Sequence, residues 1–126
     1  MHVKRIVAGL AVAAISFGVL SNAAVAIAAP TGCDSGYICL YRDDDYKGGG
    51  WFRNQPGNHW NLNDEGFGDE MNSWYNNSGV DAKWFENVNL GGYSRCMNSN
   101  SSNHSLSLMD YDNASSVAMY TDQYAC

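Results

Sequence analysis

The chain writes one pattern twice, and that repeat constrains its fold more than any other feature. In GYICLYRDDDYKGGGWFR, residues 36–53, Tyr41, Tyr46 and Gly48 are spaced as aromatic-x4-aromatic-x-Gly. Forty-four residues later WFENVNLGG repeats the spacing with Phe85, Leu90 and Gly92. Each copy is followed, roughly thirty residues on, by a serine and an apolar pair, Ser73-Trp74-Tyr75 and then Ser116-Val117-Ala118. A period near 44 predicts one β-rich unit occurring twice, over residues of about 33–78 and 79–126.

Each copy opens on an alternating strand. Ile38 and Leu40 fall on one face, and Tyr37, Cys39 and Tyr41 on the other. Ala82 and Trp84 take the places of Ile38 and Leu40 in the repeat, so both units offer an apolar pair to a shared core. Asp43-Asp44-Asp45 turns the chain, and Gly48-Gly49-Gly50 permits the positive φ angles of a folded hairpin, with a return strand from Trp51-Phe52. Residues 54–72 read as a long polar connection pinned by Trp60, Leu62 and Phe67. Ser73-Trp74-Tyr75 closes the first unit and SSVAMY the second. No stretch supports a helix of three turns. The sequons at Asn76 and Asn113 reflect Asn/Ser-rich loops rather than glycosylation.

Residues 1–28 are set aside from the fold. A basic start, MHVKR, precedes the apolar run IVAGLAVAAISFGVL, and Ala26-Ile27-Ala28 supplies a small-x-small cleavage site. That is the pattern of a secretory signal peptide. A membrane anchor would need about 20 apolar residues, and this run is shorter and ends at Ser21-Asn22. The expected product is a secreted domain over residues 29–126. Cleavage removes Lys4 and Arg5, leaving five basic residues against 13 acidic ones, a net charge of −8. Such a chain repels phosphate backbones and anionic headgroups, so no nucleic-acid partner and no membrane partner is expected. A monomer is expected.

Export and an even cysteine count together read as two disulfides among Cys33, Cys39, Cys96 and Cys126, with three possible connectivities. Their spacing is not that of zinc ligands, and His59 and His104 stand alone in polar segments. The acidic triplet at 43–45 is the kind of charge run that is ordinarily solvated at a turn. No Ser/His/Asp or Cys/His constellation can be assembled, so the chain does not read as an enzyme. The carboxylate pairs Asp64-Glu65 and Asp69-Glu70 sit in acidic loops.

The doubled aromatic-x4-aromatic-x-Gly unit with its serine-closed strand resembles the Greek-key motif of βγ-crystallins. More narrowly, CDSGYICLY, YKGGGW, NLNDEGFGDEMNSWYNN and YDNASSV are similar to the family of small secreted bacterial metalloproteinase inhibitors built on that fold. The resemblance covers residues 33 to about 120. It implies an all-β sandwich of two four-stranded sheets made from two Greek-key motifs and stabilised by disulfides. It also implies a partner, an extracellular zinc metalloprotease of the thermolysin type, blocked by a rigid disulfide-braced loop. The alternative is a secreted calcium- or carbohydrate-binding module that uses the acidic loops or exposed aromatics such as Trp51 and Trp60.

Three site expectations follow. The disulfides expected are Cys33–Cys39, because Cys39 points off the core face where the N-terminal segment can fold back, and Cys96–Cys126, which ties the terminus to the second unit. Calcium-binding βγ-crystallins carry two Asn/Asp residues, two variable positions, then Ser/Thr and Ser. Here the corresponding runs are Gly68–Ser73, with Asp69 and Asn72, and Tyr111–Ser116, with Asp112 and Ser115. Both lack the acid or amide at the first position. Calcium wants six to eight oxygens, so weak binding or none is expected, and no cofactor. Finally, the resemblance implies a reactive bond on the carboxyl side of a cysteine, which here is Cys96–Met97, with Met97 as the apolar anchor leading into the polar run NSNSSNHS. The competing reading is that Met97 ends a strand and fills the core.

Overall fold

A computed structural model describes residues 28–126. The expected signal peptide lies outside the described residues except for Ala28. Eight strands run in order: β1 (Tyr37–Asp43), β2 (Lys47–Arg53), β3 (His59–Asn61), β4 (Ser73–Asn77), β5 (Ala82–Asn87), β6 (Gly91–Met97), β7 (Ser101–Asn103) and β8 (Ser116–Met119). Short 3-10 turns follow β1 at Asp44–Tyr46 and β3 at Leu62–Glu65. The strands form two four-stranded antiparallel sheets, β2-β1-β4-β7 and β3-β8-β5-β6. Each sheet takes three strands from one unit and one from the other, because β7 joins the first sheet and β3 the second. That exchange makes the two units one sandwich.

The repeat is visible in the backbone. The β1–β2 register slips between Tyr41 and Asp43, and the β5–β6 register slips between Phe85 and Asn87, 44 positions later. Asp45 and Tyr46 have φ of 58° and 61°; their equivalents Asn89 and Leu90 have 55° and 58°. A side chain at positive φ is disfavoured, so something must hold these corners. The unit-closing serines do. The Ser73 hydroxyl donates to the Asp43 carbonyl at 2.6 Å and accepts from the Tyr46 amide at 3.0 Å. Ser116 makes the same two bonds, to the Asn87 carbonyl at 2.6 Å and from the Leu90 amide at 3.0 Å. Gly48 and Gly92 complete the corners at φ 79° and 73°. Each has a neighbouring side chain, Asp43 or Asn87, where a Cβ would stand.

The main core lies between the sheets. Ile38, Leu40, Ala82 and Trp84 are fully buried there, with Trp51, Trp74, Val117 and Met119. The connection residues Leu62 and Phe67 are buried in the same cluster, and Trp60 packs against it from a half-exposed position. One polar side chain sits deep inside. Asn76 donates to the Val80 and Met97 carbonyls at 2.9 and 2.8 Å and accepts from the Ser78 amide and hydroxyl at 3.1 and 2.6 Å. With its amide fully used inside the protein, Asn76 is no glycosylation acceptor in the folded chain.

The outer face of the first sheet holds a second cluster. Cys33, Cys39 and Tyr41 are buried there under Tyr37, Tyr46, Phe52 and Tyr75. The N-terminal segment folds back over it: the Gly36 amide donates to the Asn77 carbonyl at 2.7 Å, and Asn77 donates to the Cys33 carbonyl at 2.9 Å. The disulfides are Cys33–Cys39 and Cys96–Cys126.

Two expectations need correction. The return strand begins at Lys47, not at Trp51, because the glycine run pairs with β1 as soon as the corner is turned. The segment 54–72 is not simply a connection. His59–Asn61 pairs with β8 through Trp60 opposite Val117, a three-residue strand too short to register as a period in the sequence.

Candidate functional site

The bond Cys96–Met97 closes β6, an edge strand of the second sheet. Cys96 is exposed and bonded to Cys126, but Met97 faces Ala82 across the ladder and is 0% exposed. Strand alternation explains this: with Cys96 on the outer face, the next side chain must point into the core, where small Ala82 leaves room for a methionine. The Met97 carbonyl is held by Asn76. For Cys96–Met97 to act as a reactive bond, the end of β6 would have to leave the sheet. Emptying a buried methionine site costs about 2–5 kcal/mol.

The two calcium-type runs meet at one open depression lined by Arg42, Asp43, Asp69, Glu70, Asn72, Tyr111 and Asp112. Their oxygen-bearing side chains are bound to one another. The Ser115 hydroxyl donates to Asp69 at 3.1 Å, the Asn72 amide donates to Asp112 at 2.9 Å, and the Asp112 backbone amide donates back to Asn72 at 3.0 Å. Arg42 pairs with Glu70 at 2.5 Å and so places a cation where a metal's charge would be needed. A Cβ at Gly68, the first position of the first run, would overlap the Asn63 amide oxygen, so the lost ligand there is a packing requirement. No group of three or more His, Cys, Asp or Glu able to hold a metal exists among the described residues.

The remaining carboxylate pair has a structural partner too, since Glu65 accepts from Arg53 at 2.7 Å. Trp51 is buried and Trp60 stacks edge-on against it at 5.3 Å between ring centres, so the two tryptophans form no exposed platform.

The segment that does offer apolar surface is one that the sequence reading passed over. Between β7 and β8 the chain makes a tight turn in which Leu108 is 96% exposed and Met109 68% exposed. Its two ends are anchored. Leu106 is buried in the main core, and Asp110 is buried beside β6. The Asp110 carboxylate accepts from the Tyr93 hydroxyl at 3.0 Å and from Arg95 Nε at 3.1 Å. Asn113 donates to the Tyr93 oxygen at 2.7 Å, and the Arg95 guanidinium lies 4.8 Å over the Tyr93 ring. Desolvation first, and then the Asp110 acceptor, push the Tyr93 hydroxyl pKa up, which keeps it a donor. Tyr93 and Arg95 sit three residues and one residue before Cys96, so the Cys96–Cys126 bridge secures the strand that braces the turn. Buried Asp81 adds a second clamp, accepting from the Cys126 and Ser99 backbone amides at 2.9 Å each. The signal available in the sequence was the pair Leu108-Met109 inside an otherwise polar stretch.

The sequence model of peptidase inhibitor family I36 matches residues 26–97, more than half of the chain. The chain belongs to peptidase inhibitor family I36. No curated protein matches it. Among solved structures, this family member is similar to a βγ-crystallin domain from Clostridium beijerinckii, with 25% identity and a TM-score of 0.57 over 66% of this chain and 95% of that one. A βγ-crystallin domain from Flavobacterium johnsoniae matches at 28% identity and a TM-score of 0.53, over 64% and 90% of the two chains. A βγ-crystallin from Ciona intestinalis matches at 23% identity and a TM-score of 0.57, over 67% and 99%. The fold is that of βγ-crystallins, as the doubled motif implied.

Proposed function

We propose that this I36 member is an exported inhibitor of a zinc endopeptidase of the thermolysin type, and that it acts by presenting a rigid, disulfide-braced segment to the active-site cleft. The family match carries the inhibitor reading. Three further observations fit it. The N-terminal pattern of residues 1–28 is that of a secretory signal. No helix among the described residues is long and apolar enough to cross a membrane. Two disulfides stiffen the domain, which suits an oxidising compartment and lowers the ordering cost of binding.

Titrating the purified disulfide-bonded protein against a thermolysin-type zinc endopeptidase, with a subtilisin-type serine endopeptidase as control, tests the proposal. Stoichiometric loss of the zinc enzyme's activity, with the serine enzyme unaffected, is the expected result. Inhibition of the serine enzyme alone would remove the zinc assignment. Activity of both enzymes unchanged at excess protein would remove the inhibitor reading.

A further inference from the structure

The inhibitor reading leaves open which segment meets the enzyme, and Met97 cannot do so without leaving the core. The Leu108–Met109 turn lies beyond the segment that the family match covers. Resting on the inhibitor reading, we propose that this turn is the segment that enters the peptidase's active-site cleft, with Leu108 seated in the apolar pocket that receives the residue after the attacked bond.

Four observations carry it. First, a fully solvated leucine next to a largely solvated methionine buries little in the folded chain, so the pair contributes little transfer free energy to folding. Second, the fold does not require apolar residues there. The corresponding turn of the first unit, between β3 and β4, is exposed through Asn63, Asp64 and Glu65. Third, the turn is held at both ends, by Leu106 in the core and by Asp110 on Tyr93 and Arg95, so little conformational freedom remains to be lost on binding. A large side chain on a pre-ordered support is what a binding hot spot requires.

The fourth observation explains why the segment would inhibit rather than be consumed. With Leu108 in that pocket, the bond offered for attack is Ser107–Leu108. A zinc peptidase must polarise the carbonyl oxygen of that bond with its metal. The Ser107 carbonyl already accepts from the Asp110 amide at 2.9 Å and the Tyr111 amide at 3.0 Å. Both lone-pair directions are taken inside a curled turn, so the oxygen cannot turn to the metal until the turn opens. Opening is resisted by buried Leu106 and Asp110. The anchor therefore docks while the bond beside it stays intact. Asp110 acts here as a positioning residue, through the turn it holds.

The test compares wild type with Leu108→Asp against the same zinc and serine endopeptidases. The expected result is inhibition of the zinc enzyme by wild type, weakened at least roughly 30-fold in Leu108→Asp. The thermal midpoint should not move, and mass spectrometry after long incubation should find Ser107–Leu108 uncut. Asp110→Asn should weaken inhibition and also make Ser107–Leu108 cleavable, an outcome that mere loss of stability elsewhere would not direct to that bond. Leu108→Asp inhibiting as well as wild type would overturn the turn assignment while leaving the inhibitor reading standing. Rapid cutting of wild type at Ser107–Leu108 with loss of inhibition would overturn the protected-bond argument. If wild type inhibits the serine enzyme alone, the zinc assignment falls, and the Leu108→Asp protein tested on that enzyme decides the turn. Inhibition of neither enzyme would overturn both readings.

Discussion

The two repeat units reach the same backbone with different side chains at two equivalent places. At the folded corner the first unit packs Tyr41 against Tyr46, ring centres 5.7 Å apart, where the second has Phe85 and Leu90. At the connection before the closing strand, the first unit buries Phe67 and exposes Asn63, Asp64 and Glu65. The second buries Leu106 and Asp110 and exposes Leu108 and Met109. The corner difference stays at the hairpin, where Tyr41 is buried and Tyr46, Phe85 and Leu90 are half-buried. The connection difference faces outward. A fold that tolerates a polar turn at one place and displays an apolar pair at its counterpart is using the second for something other than folding.

The comparison is broken most severely by removing the anchor of either connection. Phe67→Ala should destabilise by about 3–5 kcal/mol, and Leu106→Ala by about 2–3 kcal/mol because that side chain is smaller and slightly exposed. Denaturant unfolding with an unchanged m-value reads both. A loss below about 1 kcal/mol for Leu106→Ala would mean that the second turn is not anchored through the core.

Next in size is the brace of each turn. Asp110→Ala removes a buried carboxylate that accepts from both the Tyr93 hydroxyl and Arg95, and should cost about 1–3 kcal/mol. Glu65→Ala breaks only the partly exposed pair with Arg53 and should cost under about 1 kcal/mol. Equal losses would erase the distinction between a braced turn and a solvated one.

How far the sequence reaches follows the same division. The period of 44 announces the corners because each needs fixed residues at fixed places: a glycine where a Cβ would collide, and a serine to bridge the hairpin. The two sheets follow from the resemblance that those residues carry. What the residues do not announce is longer-range. β3 is three residues long and owes its existence to β8, which begins 55 residues after β3 ends. Met97 looks free because the residues after it are polar, yet its direction is set by strand parity and by Ala82 opposite. The turn at 107–111 is legible only once Tyr93 and Arg95 from another strand are seen to hold Asp110. Local chemistry is written locally; bracing is written across strands.

The corner difference is sharpened by pH. The Tyr41 hydroxyl is buried without a partner among the described residues. Burial first, and then nearby Tyr46, push its pKa up from 10.0 to about 12. A group with a raised folded pKa stabilises fully below its unfolded value, so that contribution should be present below pH 10 and drain away as pH rises to 12. Tyr41→Phe makes the first corner resemble the second. It should leave neutral-pH stability nearly unchanged or slightly raised, since an unpaired buried hydroxyl is removed, and should flatten the alkaline loss. Unfolding curves from pH 9 to 12 that match those of wild type would show that Tyr41 is not the group responsible.

The smallest expected effect is the most diagnostic for the connection. Leu108→Asn with Met109→Asp writes the exposed Asn63-Asp64 of the first unit into the second turn. Neither original side chain is buried enough to contribute much transfer free energy, and the contact between Tyr93 and the Met109 carbonyl involves only backbone at that residue. The added carboxylate faces Asp110 and Asp112 along the chain, a repulsion that salt screens at the surface. The net change in stability should lie within about 0.5 kcal/mol, as for surface substitutions generally. Urea midpoints measured at two salt concentrations separate the small repulsive part from any loss of packing. A fall of more than about 1 kcal/mol that persists at high salt would place the pair among the residues that hold the fold. Inhibition lost at unchanged stability would instead leave the apolar turn with a single reason to exist, its contact with the enzyme.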